Sequence, residues 1–305
     1  MTKDFLKYLY TTNVFYNFIN FAAKPWRGLG SILMYHRVLP EDKIYQDYNL
    51  GLAVTLRNFE NQINFLKDNY DIVTMDEFVD RLKVKKKNNF CITITFDDGY
   101  KDNLDYALPI LKKNNIPATI YITTRFLDKN VWVWWYELKE IIDEKNSLNF
   151  KYRNKKKIYS LNDKKEKTKV FHHLRKLFLN LPVEEQLNLL QIITQNKIRK
   201  NYSKIFLNSR DLNLLNNEPL ITIGSHSHSH PNLKILEEEK KIFEIENSNQ
   251  ILENLLNKKI KHFSYPYGGK NEANTNEYEI VQNLKLNSAV TTRIYPPDHN
   301  KLFSL

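Results

Sequence analysis

The sequence predicts an α/β fold built on a largely parallel sheet or barrel, interrupted by a helical insertion. Three observations predict it. Short apolar strands alternate with amphipathic helices along most of the chain. Several strands run directly into polar, chemistry-bearing residues, as parallel architectures arrange them. Residues 143–208 break the alternation with Lys-, Asn- and Leu-rich sequence of helical period. A length of 305 residues leaves room for one large barrel or two small domains.

Residues 1–30 read as a helical segment preceding a domain over 31–305. Phe5, Leu6, Leu9, Val14, Phe15, Phe18 and Ile19 recur at near-helical spacing. They suit a helix docked on the domain, or a peripheral membrane contact through residues 5–22. Ile32 to His36 is a first strand. Leu56 to Lys67 is a helix capped by Thr55. Ile72 to Thr74 is a brief strand, and Asp76 to Lys83 a short helix with Asp76 as its cap. Cys91 to Phe96 is the clearest strand, ending at Asp97-Asp98-Gly99. Asn103 to Lys113 is a helix, Pro117 opens the strand Ala118 to Thr123, and Trp132 to Ile142 is helical.

Within the insertion, helical period shows at Val170, Leu174, Leu177 and Phe178, and again at Leu187, Leu190 and Ile193. Ile221 to Ser225 is a strand leading into His226. Leu236 to Leu256 is a long helix, with Ile242, Phe243, Ile251, Leu252, Leu255 and Leu256 expected on its buried side. Ile260 to Ser264 is a strand followed by the turn Tyr265-Pro266-Tyr267-Gly268-Gly269. Glu277 to Leu284 is a helix and Ala289 to Thr292 a last strand. The carboxyl ends of three distant strands can therefore converge on one face.

Composition narrows the function classes. Hydrophobic residues make up 42% and aromatics 13%, so disorder of the whole chain is excluded. The net charge of +11 is spread over separate runs at Lys85-Lys86-Lys87, Lys155-Lys156-Lys157 and Lys258-Lys259. These read as solvated surface, and with no aromatic interleaving no nucleic-acid partner is expected. Cys91 is the only cysteine, which excludes an internal disulfide and a cysteine-based zinc site. Asp4 and Lys7 interrupt the amino terminus and no apolar core follows, so no signal peptide is expected. No apolar run reaches spanning length. The expected location is cytoplasmic, with the inner membrane as a peripheral contact.

The chemistry lies in two clusters. Adjacent carboxylates are costly to bury unless paired or metal-bound. Neighbouring residues point in different directions, so one of Asp97 and Asp98 can bind a metal while the other faces a substrate water. The plainer alternative is that both cap the next helix. His226, His228 and His230 fall within five residues. On a helical turn His226 and His230 share a face and His228 diverges. In an extended segment all three share one side. Pro231 disfavours the α conformation at His230. Two histidines and one aspartate leave an open position on a zinc-like ion, the layout of a catalytic site. Such an ion polarises an amide carbonyl and acidifies water.

The order Thr95-Phe96-Asp97-Asp98-Gly99, then His226-Ser-x-x-His230, then Ser264-Tyr265-Pro266-Tyr267-Gly268 resembles the polysaccharide deacetylases, the NodB-homology type of carbohydrate esterase. The resemblance runs from about Ile32 to near the carboxyl terminus and skips the insertion. It implies a distorted barrel of about seven β/α units. It implies Asp98, His226 and His230 as ligands of one divalent ion, Zn²⁺ foremost. Asp97 would be the general base, and the Tyr267 N–H would hold the oxyanion. The implied reaction is hydrolysis of an acetamide on an amino sugar, releasing acetate. The implied partner is an N-acetylated glycan or a lipid-linked glycan intermediate. A glycan-binding relative without activity is the alternative.

Two departures matter. Many family members carry Arg at the position of Ser264, where it orients the base. Many also carry an acid histidine in a late Leu-x-His-like motif that is not seen here. Met34-Tyr35-His36-Arg37-Val38 resembles the poly-N-acetylglucosamine deacetylase branch, which implies His36 as the acid. His299 is the second candidate. Tyr265 and Trp135, the latter grouped with Trp132 and Trp134, are expected to contact substrate. His172, His173 and His262 lie on helical or basic stretches expected to be ordinary surface.

Overall fold

The computed structural model describes residues 29–44, 52–84, 90–129, 131–195 and 201–305. The expected helix within 1–30 and the run at Lys85 lie outside the described residues. In chain order the elements begin β1 (Gly30–Tyr35), β2 (Arg37–Leu39), β3 (Ala53–Thr55), α1 (Leu56–Asn69), β4 (Asp71–Ile72), α2 (Met75–Lys83), β5 (Cys91–Phe96), α3 (Leu108–Asn114) and β6 (Ala118–Ile122). There follow α4 (Trp134–Glu144), β7 (Ser147–Tyr152), β8 (Lys155–Ser160), α5 (Lys164–Phe178), α6 (Val183–Thr194), α7 (Ser209–Asn216) and β9 (Ile221–Ser225). The last are α8 (Glu238–Leu256), β10 (His262–Ser264), α9 (Thr275–Asn283) and β11 (Ser288–Val290).

Seven strands make one parallel sheet in the order β1-β5-β6-β9-β10-β11, with β4 paired to the start of β5. Every residue of β5 is buried, as a central strand covered on both faces requires. The register fixes what the sheet offers at its top. Tyr35 pairs Phe96, Phe96 pairs Ile120, Ile122 pairs Ser225, and Ser225 pairs Phe263. The residues just past β1, β5, β9 and β10 therefore leave the sheet along one edge. The main core, with Phe59, Ile94, Phe96, Ile120, Leu252 and Phe263, seats the helices beneath that edge.

Local chemistry sets the helix ends. Thr55 caps α1 by accepting from the Asn58 N–H at 3.1 Å. The expected cap of α2 is corrected: Thr74 accepts from the Glu77 N–H at 3.2 Å. Asp76 sits in the first turn, and its carboxylate accepts from Lys261 Nζ at 2.9 Å. The expected buried face of α8 is corrected in part. Leu252 and Leu256 are buried as expected, but Phe243 is 58% exposed, and Lys241, Glu244, Ile245 and Ser248 are buried in addition. Lys241 turns inward to Glu277 at 2.7 Å, and Glu244 to the backbone of His228 and Ser229 at 3.0 and 2.7 Å.

The insertion is not wholly helical. It opens with an antiparallel hairpin, β7–β8, in which Ser147 pairs Ser160. Leu148 and Phe150 alternate inward from β7. With α4, α5 and α6 they build a second apolar cluster. Trp134 of α4 stacks on Phe178 of α5 at 4.7 Å and 8°. Among the described residues no helix is long and apolar enough to cross a membrane.

Candidate active site

Four strand ends supply the site. His36 occupies the single position between β1 and β2. The corner is pinned from below: Arg37 Nε donates to Asp102 Oδ2 at 2.9 Å, the Val38 N–H to Asp102 Oδ1 at 2.9 Å, and Asn103 Nδ2 to the His36 carbonyl at 2.8 Å. The Arg37 guanidinium also lies 4.8 Å over the Tyr100 ring. After β5, the Asp97 N–H donates to the Tyr35 carbonyl at 3.0 Å and continues the ladder. The chain then turns sharply, with Asp98 at φ 73° and Gly99 at φ 76°. A left-handed residue other than glycine costs about 1–2 kcal/mol, least for Asp and Asn.

The segment His226 to His230 is neither helical nor extended. The His226 N–H donates to the Ile122 carbonyl at 2.9 Å, while Ser227 at φ 64° and His230 at φ 58° curl the chain. The His230 N–H closes the turn on Ser227 Oγ at 3.1 Å. His226 and His230 are thereby brought together, with ring centroids 4.9 Å apart. His228 diverges, its Nδ1 pairing with Thr124 Oγ1 at 2.9 Å.

Asp98 Oδ1 lies 3.4 Å from His226 Nε2 and 3.1 Å from His230 Nε2. All three side chains are buried, and one donor atom from each falls within 4.8 Å of the others. Despite this proximity Asp98 Oδ1 makes no aligned hydrogen bond among the described residues. Lone pairs converge there, as a cation site requires, and the nitrogen–nitrogen–oxygen set suits zinc or a similar ion. His226 Nδ1 faces the Ser264 carbonyl at 2.8 Å. A carbonyl only accepts, so Nδ1 carries the proton and Nε2 is left to ligate. Burial works against charge on His226, but Asp97 and Asp98 outweigh it and raise its pKa. For His230 burial prevails and the pKa falls. Burial disfavours the Asp98 carboxylate, yet the histidines overcome it and hold its pKa well below the ordinary value.

Asp97 is 3% exposed. Its Oδ2 accepts from Ser264 Oγ at 3.1 Å, while Oδ1 has no donor among the described residues. One oxygen is fixed and the other is open beside the metal-ligand cluster. Asp97, Asp98, His36, Trp135 and Tyr267 all line a cavity of about 470 Å³ that contains His226 and His230 in its wall. Trp135 lies 5.4 Å from the His230 ring and Tyr267 meets it edge-on at 4.5 Å. Tyr267 has φ 62° and precedes Gly268 at φ 59°, where a Cβ would come 2.6 Å from the Thr292 nitrogen. The Tyr267 N–H donates no hydrogen bond among the described residues. Burial pushes the Tyr267 phenol up in pKa, against the pull of Trp134 and the charge of Arg175.

Three expectations are corrected. Tyr265 does not line the cavity: it is 1% exposed, packs on Phe263 and Tyr278, and donates its hydroxyl to the Phe303 carbonyl at 2.9 Å. His299 is also off the wall and pairs with Asp298 at 3.1 Å. His262 is fully buried between Ser288 and Asp76, not on the surface. The sequence reading also missed wall residues. Thr168, His172 and Arg175 of α5 reach the cavity from the insertion. Their i, i+4, i+7 spacing, beside the buried stripe of Val170, Phe171 and Leu174, was the available signal.

A family profile described as polysaccharide deacetylase matches residues 84–170 and 184–286, more than half of the chain. The chain belongs to the polysaccharide deacetylase family. The stretch 171–183, between the matched parts, carries the end of α5. Two members are alike in sequence. The Bacillus subtilis protein YxkH, whose name places it among polysaccharide deacetylases, is 34% identical over 112 residues, 36% of this chain and 37% of its own. The poly-beta-1,6-N-acetyl-D-glucosamine N-deacetylase of Staphylococcus epidermidis is 34% identical over 107 residues, 31% of this chain and 36% of its own. The matches thus span little more than a third of these relatives. The Streptococcus pyogenes deacetylase PplD in complex with acetate superposes with a TM-score of 0.58 at 19% identity, covering 90% of this chain and 88% of that one. IcaB from Ammonifex degensii gives 0.55 at 17% identity, covering 88% and 85%. The open parallel barrel is the fold of these deacetylases.

Proposed function

We propose that this chain is a metal-dependent hydrolase that removes N-acetyl groups from amino sugars of a polysaccharide or glycan precursor. The observation that carries the reading is the convergence of Asp98, His226 and His230 beside Asp97 in one cavity. A divalent ion held by Asp98, His226 and His230, zinc foremost, would supply a Lewis acid for the amide carbonyl and for water. Asp97 takes a proton from the attacking water on its open Oδ1, while Ser264 holds Oδ2 in place. The Tyr267 N–H faces the oxygen on which negative charge develops. His36 gives a proton to the departing nitrogen. A bond from the water oxygen to the carbonyl carbon forms and the carbon–nitrogen bond breaks, leaving acetate and a free amino sugar. Trp135 presents an apolar face for the sugar ring or the acetyl methyl.

The test is acetate release from a panel of N-acetylated glycans and lipid-linked N-acetylated oligosaccharides. Activity is expected in the native protein, lost on chelation, restored by zinc and absent in Asp98→Asn. Turnover that survives both chelation and Asp98→Asn overturns the metal reading. Full activity in His36→Ala moves the acid role elsewhere.

A further inference from the structure

The cavity has one wall the reaction does not use. Thr168, His172 and Arg175 turn the same face of α5 toward it, although the chemistry is complete without them. Arg175 is the informative member. Guanidinium is always charged, and a half-buried one ordinarily finds an acid. Arg37 pairs with Asp102 and Arg81 with Asp71 and Glu77, while Arg293 donates to the Gly269 and Ala273 carbonyls. The Arg175 side chain has no hydrogen bond, ion pair or ring partner among the described residues, and it lines a cavity whose wall sets Trp134, Trp135, Met34 and Leu52 beside the proposed catalytic groups. Neither carboxylate in the same wall is paired with Arg175: Asp97 Oδ2 accepts from Ser264, and Asp98 lies against the imidazoles of His226 and His230.

A plainer role exists, since cations in the last turn of a helix complement its dipole. Lys176 in the same turn serves that purpose from an exposed position, and it does not explain why Arg175 is turned inward. The placement is also rigid. Val170, Phe171, Leu174 and Phe178 bury the flank of α5 beside Arg175, and Phe178 stacks on Trp134, itself part of the wall. A preorganised, unpaired fork of donors beside an apolar wall suits a planar or tetrahedral oxyanion.

We propose that Arg175, with His172 nearer solvent, forms a subsite for an oxyanion of the glycan, a phosphoryl or carboxylate group on or beside the N-acetylated sugar. The substrate class is therefore an anionic glycan. The inference rests on the deacetylase reading for its reaction but not for its binding.

The experiment measures acetate release by the full-length, zinc-loaded chain on three probes. They are a neutral β-1,6-linked N-acetylglucosamine oligomer, an alkyl phosphodiester of N-acetylglucosamine 1-phosphate, and an N-acetylglucosaminyl-glucuronate disaccharide. The wild-type chain is expected to favour one charged probe, and which one distinguishes phosphoryl from carboxylate. Arg175→Gln is expected to cut the charged-to-neutral ratio of kcat/KM by about tenfold to a hundredfold, through KM. Arg175→Lys keeps part of the ratio as a point charge, and added salt lowers it. Equal kcat/KM on all three probes in the wild type overturns the subsite. So does an equal fall on charged and neutral probes in Arg175→Gln. Calorimetry with the deacetylated charged sugars separates the two readings. Binding that weakens at least about tenfold in Arg175→Gln, with no acetate released from any probe, overturns the deacetylase reading and upholds the subsite.

Discussion

Removing the Ser264 hydroxyl tests how Asp97, the proposed base, is held. Ser264 Oγ is the one donor to Asp97 among the described residues, at 3.1 Å, and both side chains are buried. A hydrogen bond to a charged group contributes about 1.5–3 kcal/mol. Lost where the carboxylate must be held in line with the attacking water, that amounts to a fall in kcat/KM of about tenfold to a hundredfold. Ser264→Ala is a small change of shape, and the Ser264 carbonyl that faces His226 Nδ1 is main chain and stays in place. The expectation is kcat/KM lowered by about tenfold to a hundredfold, with metal content unchanged. Acetate release from an N-acetylglucosamine oligomer, with zinc measured in parallel, reads both quantities. An unchanged kcat/KM while zinc stays bound refutes the reasoning, because Asp97 would then be held by something other than Ser264.

Three further perturbations probe the support around the site. Arg37→Met strips a buried carboxylate of its partner, since Arg37 and Asp102 lie 2.9 Å apart with little exposure and burial already raises the Asp102 pKa; urea unfolding should show a loss of about 3–5 kcal/mol, and a loss under about 1 kcal/mol would mean the pair is effectively solvated. Ion affinity should climb with pH. The His226 pKa stands above the ordinary 6.5 in the metal-free fold, so its proton stabilises that fold below this value and the contribution is lost as pH rises through the raised one. Ligation needs the neutral ring, so chelator competition should give about tenfold tighter binding per unit until that proton is gone, with proton release in weak buffer; affinity flat from about pH 6 to about pH 8 would argue against His226 as a ligand. Phe178→Ala empties the stack on Trp134 and should cost about 3–5 kcal/mol in the same unfolding assay; near-wild-type stability would show that α5 is held some other way.

The parallel sheet was readable because β5 is an unbroken apolar and Thr-rich run bounded by Asp97-Asp98-Gly99, so period and punctuation agree. The hairpin β7–β8 was not. Only Leu148 and Phe150 of β7 are buried, Phe150 pairs with Lys157, and Lys155 and Lys156 face water, so period two is drowned by surface charge. The face of α8 was misphased because its inward positions include Lys241 and Glu244, whose partners Glu277, His228 and Ser229 come from other segments. The same distinction divides the site. Local spacing nominates the pair Asp97-Asp98 and the histidine cluster, the family resemblance picks Asp98, His226 and His230 from them, and the structure brings the donor atoms of these three within 4.8 Å. The bond from Ser264 to Asp97 spans 167 positions and has no local signature. Tyr265 and Tyr267 look alike in sequence, yet one turn sends the first into the core and the second to the cavity.

The left-handed residues set two kinds of selection against each other. Asn115, Gln195 and Asn257 take that conformation as helix caps, where glycine would be cheaper and nothing chemical would be lost. Asp98, Ser227, His230 and Tyr267 take it around the cavity. A library screened only for heat resistance would be drawn toward glycine at all seven positions. At the first three the survivors would be more durable proteins in storage. At Asp98 and His230 they would be robust proteins with two of the three metal-ligand candidates deleted. Directed evolution of this scaffold therefore needs an activity gate at those positions, because backbone geometry alone cannot tell a dispensable bend from a necessary one.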